Sequence, residues 1–179
     1  MKTTTTKFEI TLGDPIPANV KVISRTGVRA IIWSGQNLLM MKSNRGDYKF
    51  PGGGVEAGER DKQALARELI EETGYTDFVI RELAGQAVQA HPDRIQKGAW
   101  YHLRSPYYNV HLNSWEQQPV KLTKKEIREG FHRVWITPEA AIEANEAIPI
   151  DPFKNFYIER ENSVLQELVR VQRVRRNTP

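Results

Sequence analysis

No segment of this chain limits its possible folds more than the one from Phe50 to Tyr75. Phe50-Pro51-Gly52-Gly53-Gly54 is too rich in glycine for a helix or a regular strand. It leads into residues 61–73, whose pattern predicts a helix, and Gly74 stands where a C-terminal cap belongs. On that helix Glu68, Glu71 and Glu72 fall at i, i+3 and i+4, within about 100° of arc on one face. Leu65, Ala66, Leu69 and Ile70 cover a different arc that can pack on a sheet. Like charges at these spacings cost a helix roughly a few tenths of a kcal/mol per pair, so something must offset them. One reading is a wet surface face on which Arg67 pairs with Glu71. The other is a divalent-cation site, because hard cations take several oxygen ligands and carboxylates one turn apart can converge on one ion.

Around this segment the pattern alternates between strands and helices. Phe8, Ile10 and Leu12 alternate as a short strand within a polar lead-in, residues 1–18. Strand-like runs follow at Val20 to Ile23 and Val28 to Trp33, and Ser34-Gly35-Gln36-Asn37 reads as a hairpin turn into Leu38 to Met41. Thr76 to Val88 and Ala99 to Leu112 read as strands separated by a polar loop at His91-Pro92-Asp93-Arg94. Phe131 to Ile136 is a further strand, Pro138 opens a helix, and residues 155–174 are amphipathic. The expected division is the lead-in at 1–18, one α/β domain at 19–160, and a C-terminal helix with a basic tail at 161–179.

Composition narrows the chemistry. With no cysteine, thiol catalysis, disulfides and cysteine-ligated metals are excluded. The N-terminal residues carry charge without an apolar stretch behind them, and no apolar run approaches the roughly 18 residues that cross a bilayer. A cytoplasmic protein without membrane contact is the expectation. The net charge of +4 sits entirely in Arg170, Arg173, Arg175 and Arg176, since the other residues balance at 22 basic and 22 acidic. That placement reads as a solvated helix end and makes nucleic acid an unlikely partner.

The spacing then carries a resemblance. Gly53, Glu59, Arg67-Glu68-Leu69, Glu71-Glu72 and Gly74-Tyr75 fit the pattern G-x5-E-x7-R-E-U-x-E-E-x-G-U in full, where U is a bulky apolar residue. Seven fixed positions at typical usage match by chance about once in 10⁸ to 10⁹ windows, far more than a chain of this length offers. The chain resembles the Nudix hydrolases over about residues 20–145, weakly outside 50–75. The resemblance implies an α/β/α sandwich with a mixed sheet that hydrolyses a diphosphate linked to another moiety, with Mg²⁺ or Mn²⁺ as cofactor. It also implies that Glu68, Glu71, Glu72, Arg67 and Glu59 carry catalysis. Glu68, Glu72 and Glu71 would bind the metal with the backbone carbonyl of Gly52. Arg67 would orient carboxylates by pairing with Glu59 or Glu71. The general base would be Glu68, or a loop glutamate among Glu116, Glu126 and Glu129, with Glu126 or Glu129 favoured among the three.

Substrate recognition is less constrained by sequence. Arg29, Arg45 and Lys49 lie near the expected site and suit phosphate neutralisation. Trp100, Tyr101, Tyr107, Tyr108, Trp115 and Phe131 offer either stacking surfaces or core. The expected substrate is a nucleoside triphosphate, ADP-ribose or nucleotide sugar. An RNA 5′-pyrophosphohydrolase and a non-catalytic ligand-sensing module are the alternatives, and a homodimer is the family-level expectation for assembly.

Overall fold

Two long strands frame the computed structural model, which describes residues 7–151 and 155–177. They are β6 (Phe78–Pro92) and β7 (Ala99–Leu112), antiparallel from Phe78 opposite Leu112 to Pro92 opposite Trp100, with register shifts between Ile80 and Gly85. β1 (Phe8–Gly13) lies parallel to β6. β2 (Lys21–Thr26) and β3 (Arg29–Ser34) follow one another along β7, both parallel to it. β3 turns through Gly35, at φ 59°, into the antiparallel β4 (Asn37–Lys42). β4 in turn pairs with the short β5 (Tyr48–Lys49) and with β8 (His132–Ile136), giving one eight-stranded mixed sheet.

Period-two alternation splits the core into two layers. Val28, Ala30, Ile32 and Leu39 pack against Ala64, Leu65 and Leu69 of α1 (Asp61–Thr73). Ile31, Leu38 and Met40 point the other way, toward Ala141 of α3 (Pro138–Glu146) and Val164 and Leu165 of α4 (Ile158–Asn177). Asn145 on α3 accepts the Tyr48 N–H at 2.7 Å and donates to its carbonyl at 3.1 Å, fastening β5 to that layer. Helices cover both faces of a mixed sheet, the sandwich that the resemblance implied.

The strand expected in the lead-in is present as β1, and two local features differ from the sequence reading. His91 and Pro92 continue β6 rather than starting a loop, and the turn is shifted to residues 93–98. His91 stacks on Tyr101 across the hairpin with centroids 5.3 Å apart, and the Asp93 carboxylate caps the turn by accepting the Ile95 and Gln96 N–H groups. The lead-in strand pairs with β6 along its whole length. A short helix, α2 (Lys124–Arg128), forms where none was expected. Residues 1–6 of the lead-in and 178–179 of the basic tail lie outside the described residues, as do the side chains of Arg175 and Arg176. Arg170 pairs with Glu167 at 2.6 Å. Among the described residues no helix is long and apolar enough to cross a membrane.

Candidate active site

The glycine segment runs beside the start of β3 as an extended chain. Ala30 donates to the Pro51 carbonyl, Val28 to that of Gly53 and Val55 to that of Thr26, each at 2.9 Å. Gly52 adopts φ 131°, and a Cβ there would lie 2.1 Å from the Val28 oxygen. A Cβ on Gly53 would lie 2.3 Å from the Glu68 carboxyl carbon. These glycines let the Glu68 carboxylate approach the main chain closely.

Arg67 is the hub of the helix. Its Nε and Nη2 grip both oxygens of Glu59 at 2.8 and 2.9 Å, Nη1 donates to Glu68 at 2.8 Å and to Glu71 at 3.4 Å, and Nη2 also donates to the Gly54 carbonyl at 3.0 Å. Both pairings weighed from sequence therefore occur together. The Arg67 hydrogen bonds, helped by the Glu56 N–H, bring the Glu59 carboxyl down to about 2. For Glu68 burial dominates and pushes its carboxyl up, against the pull of Arg67.

Glu72, one turn further along the same face, is only 2% exposed. It accepts the Gly52 N–H at 2.7 Å and the Lys49 ammonium at 2.9 Å, yet burial still raises its carboxyl. Lys49 lies 4.3 Å from the Phe131 ring centroid and 3.8 Å from Glu126. Glu126 is delivered by α2, whose Thr123 cap donates its N–H and its hydroxyl to Glu126 Oε2, both at 2.8 Å. Burial pushes this carboxyl up, but the Thr123 hydrogen bonds and Lys49 outweigh it and hold Glu126 below the usual carboxylate range.

A cleft of about 440 Å³ opens beside this arrangement, walled by Arg29, Lys49, Gly54, Glu126, Glu129 and Phe131. Arg45, expected here, instead bonds Asp47 at 3.2 Å and Tyr157 at 3.3 Å and is not part of the wall. Glu116 is exposed and also outside it, Tyr107 is buried in the core, and Trp115 packs edge-on against Tyr75. Sequence reasoning passed over α2, although Thr123 followed by Glu126 three residues on is a capping box. It also passed over Arg160, a buried residue on the cleft wall. A larger groove of about 820 Å³ between α3 and α4 holds none of these carboxylates.

The donor set suits a hard divalent cation by type. Glu68 and Glu72 supply carboxylate oxygens beside the glycine segment, and burial raises both carboxyls. Among the loop carbonyls, those of Pro51, Gly53 and Gly54 have donors, whereas among the described residues that of Gly52 has none. In the present arrangement the carboxylates turn toward Arg67 and Lys49, and among the described residues no three acidic or histidine side chains converge as a ready-made cage. Mg²⁺, which keeps several waters, needs no such cage.

Comparison with known proteins agrees with this geometry. A family model described as the NUDIX domain matches residues 23–156. Nudix hydrolase 25 of Arabidopsis thaliana is 30% identical over 132 residues, 66% of this chain and 75% of the plant protein. An RNA pyrophosphohydrolase of Aliivibrio fischeri is 26% identical over 114 residues, 64% of this chain and 55% of that protein, so the chain spans little more than half of this relative. In fold, the solution structure of the E. coli ORF135 protein superposes with a TM-score of 0.53 at 23% identity, covering 92% of this chain and all of that one. A complete glutamate–arginine helix, the glycine segment that seats it and a family match over most of the length agree: this chain belongs to the Nudix family of hydrolases, enzymes that cleave phosphorus-containing anhydrides.

Proposed function

We propose that the protein is a divalent-metal-dependent pyrophosphohydrolase that cleaves the diphosphate of a nucleoside diphosphate joined to another moiety. The observation that supports this best is the seating of Glu68 and Glu72 against Gly53 and Gly52 at the edge of a cationic cleft. Nudix hydrolases generally use divalent ions, and Glu68, Glu71, Glu72 and the Gly52 carbonyl would hold Mg²⁺ or Mn²⁺ here. When bound, the ion supplies neutralisation of phosphate charge and a lowered pKa for water. Arg67 orients Glu59, Glu68 and Glu71 without reaching the cleft. Lys49, beside Glu72 on the cleft wall, lies where oxygens of the scissile diphosphate would be and neutralises them. Glu126, the loop glutamate lying nearest Glu72 through Lys49, is the base that accepts the proton of attacking water at its carboxylate.

Release of AMP or phosphate from nucleoside triphosphates, ADP-ribose, nucleotide sugars and diadenosine polyphosphates with Mg²⁺ tests this, with Glu72→Gln as blank. We expect turnover that EDTA abolishes and Mg²⁺ restores. Turnover that resists EDTA overturns the metal dependence, and no turnover on any compound overturns the activity. Similarity to RNA pyrophosphohydrolases supports 5′-triphosphorylated RNA as the second reading, and it belongs in the same panel.

A further inference from the structure

Beyond the carboxylate helix the cleft has a second, differently charged end. β2 and β3 run in succession along β7, so Arg25 is in register with Leu103 and Arg29 with Tyr107. α4 packs over this part of the sheet, where Glu161 accepts the Tyr107 hydroxyl at 3.4 Å and Phe156 meets His91 edge-on. It brings Arg160 to the same wall, so three arginines from three elements line the cleft with Tyr101. Burial raises the Tyr101 phenol, and the charges of Arg25, Arg160 and Arg29 pull it back.

Stability does not explain this cluster. Arg160 is 2% exposed and donates to Glu161 Oε1 through Nε at 3.1 Å and Nη2 at 2.7 Å. A buried ion pair contributes little that a pair of apolar side chains would not match. Arg29 gives one hydrogen bond to the Val28 carbonyl at 2.9 Å, its Nε is buried without a partner, and among the described residues no carboxylate lies within 4.0 Å of it. Arg25 is exposed at the rim of the cleft. Of the acids of the cleft, Glu126 lies 3.8 Å from Lys49, and neither it nor Glu129 pairs with Arg25, Arg29 or Arg160 among the described residues. The aromatic rings nearby are already engaged: Tyr101 stacks on His91, and Arg94 lies 4.7 Å from the Phe156 centroid. They act as walls more than as a platform for a base, and the unspent recognition chemistry is guanidinium, whose fork matches phosphate oxygens.

We propose that Arg25, Arg29 and Arg160 form a subsite for a phosphoryl group that the substrate carries in addition to its scissile diphosphate. The inference rests on the reaction proposed above and names its substrate class: nucleotides with an extra phosphate, either at the end of the phosphate chain or as a monoester on the ribose. Glu161 also accepts the Phe50 N–H at 2.8 Å, so the residue that fixes Arg160 is tied directly to the glycine segment of the catalytic end.

Calorimetric titration of the full chain in EDTA tests the subsite without turnover. ADP against ATP reports a phosphate at the chain end, and AMP against adenosine 3′,5′-bisphosphate reports a ribose monoester. We expect the more phosphorylated member of at least one pair to bind about tenfold tighter, as a well-made charge-assisted contact allows. Arg25→Ala and Arg160→Lys should each cut that ratio at least about threefold, Lys being unable to reproduce a forked contact. Arg81→Ala, the same change of charge on an exposed residue outside the cleft, should leave the ratio intact. Equal binding within both pairs, or a ratio that neither variant changes, overturns the proposal. Discrimination without hydrolysis in Mg²⁺ would overturn the reaction and uphold the subsite, and hydrolysis without discrimination would do the reverse.

Discussion

Lys49 donates to Glu72 Oε1 at 2.9 Å while the Gly52 N–H holds the other oxygen at 2.7 Å, so a carboxylate almost sealed from water has each oxygen committed to a different donor. The loop, the catalytic helix and β5 meet in this one group.

Glu72→Gln retains an oxygen for the Gly52 N–H and removes the charge. Turnover should fall by about 10²- to 10³-fold or more, with a melting temperature within a few degrees of wild type. The burial of Glu72 adds a second expectation: Glu72→Ala leaves Lys49 and Gly52 facing a cavity and lowers stability by about 1–3 kcal/mol. Activity and thermal melts of both variants measure this, and near-wild-type turnover of the Gln variant would remove Glu72 from the machinery.

Gly53→Ala and Gly52→Ala separate site geometry from folding. At Gly53 the new methyl meets the movable end of Glu68, so the protein should fold with little loss of stability and lose most of its activity. At Gly52 it meets the fixed Val28 carbonyl from a left-handed φ, and destabilisation of about 1–3 kcal/mol follows. Urea unfolding of the pair gives the comparison. Equal stability losses would show that the Glu68 carboxylate is not free to yield.

Arg67→Met removes donors to three carboxylates at once. Charge-assisted hydrogen bonds at a partly buried group predict a loss of about 2–3 kcal/mol together with impaired turnover. Arg67→Lys should recover little of either, because one ammonium cannot span Glu59 and Glu68. Full rescue by Lys would reduce the hub to a simple charge.

Glu59 supplies a pH signature. Its carboxyl is lowered from 4.5 to about 2 on folding. A depressed acid stabilises the fold above its unfolded value and loses that contribution as pH falls through the folded one. The gap in melting temperature between wild type and Glu59→Gln should therefore be full at pH 6 and narrow steadily below 4.5. A gap that does not change down to pH 3 would contradict the pairing with Arg67.

Glu126→Gln addresses the base. Held below the usual carboxylate range, Glu126 stays ionised well into acid, whereas Glu68 is pushed up. If Glu126 takes the proton, the variant should lose about 10²- to 10⁴-fold in kcat. A kcat near wild type would transfer the role to Glu68.

The carboxylate helix was legible because helical geometry repeats: once Glu68, Glu71 and Glu72 share a face, the backbone leaves them no other arrangement, and Gly74 does cap it at φ 75°. Pairing between distant strands leaves no such mark. Nothing local in Phe8 to Gly13 says that it runs parallel to β6, and His91-Pro92 looks like a loop until Tyr101 is placed opposite it. The polar wall of the cleft was hidden for a related reason. Ile158 and Leu165 define the buried stripe of α4, and Glu161 falls between them on the same stripe. A charge there is tolerable only with a partner, and Arg160, its immediate neighbour, reads as solvent-facing in a helical projection.

The parallel pairing of β1 with β6 has a consequence for how the chain is made. Phe8 sits on Gly85, where a Cβ would press 2.4 Å from its ring, so β1 has one specific seat. That seat does not exist until β6 has been synthesised, about 79 residues after β1 ends, or roughly 4–16 s at ordinary translation rates. Throughout that interval β1 is without the β6 edge on which it sits. Glu9 and Thr11, exposed and alternating with its apolar residues, give the waiting strand one charged and polar face, a feature that disfavours pairing with a wrong edge.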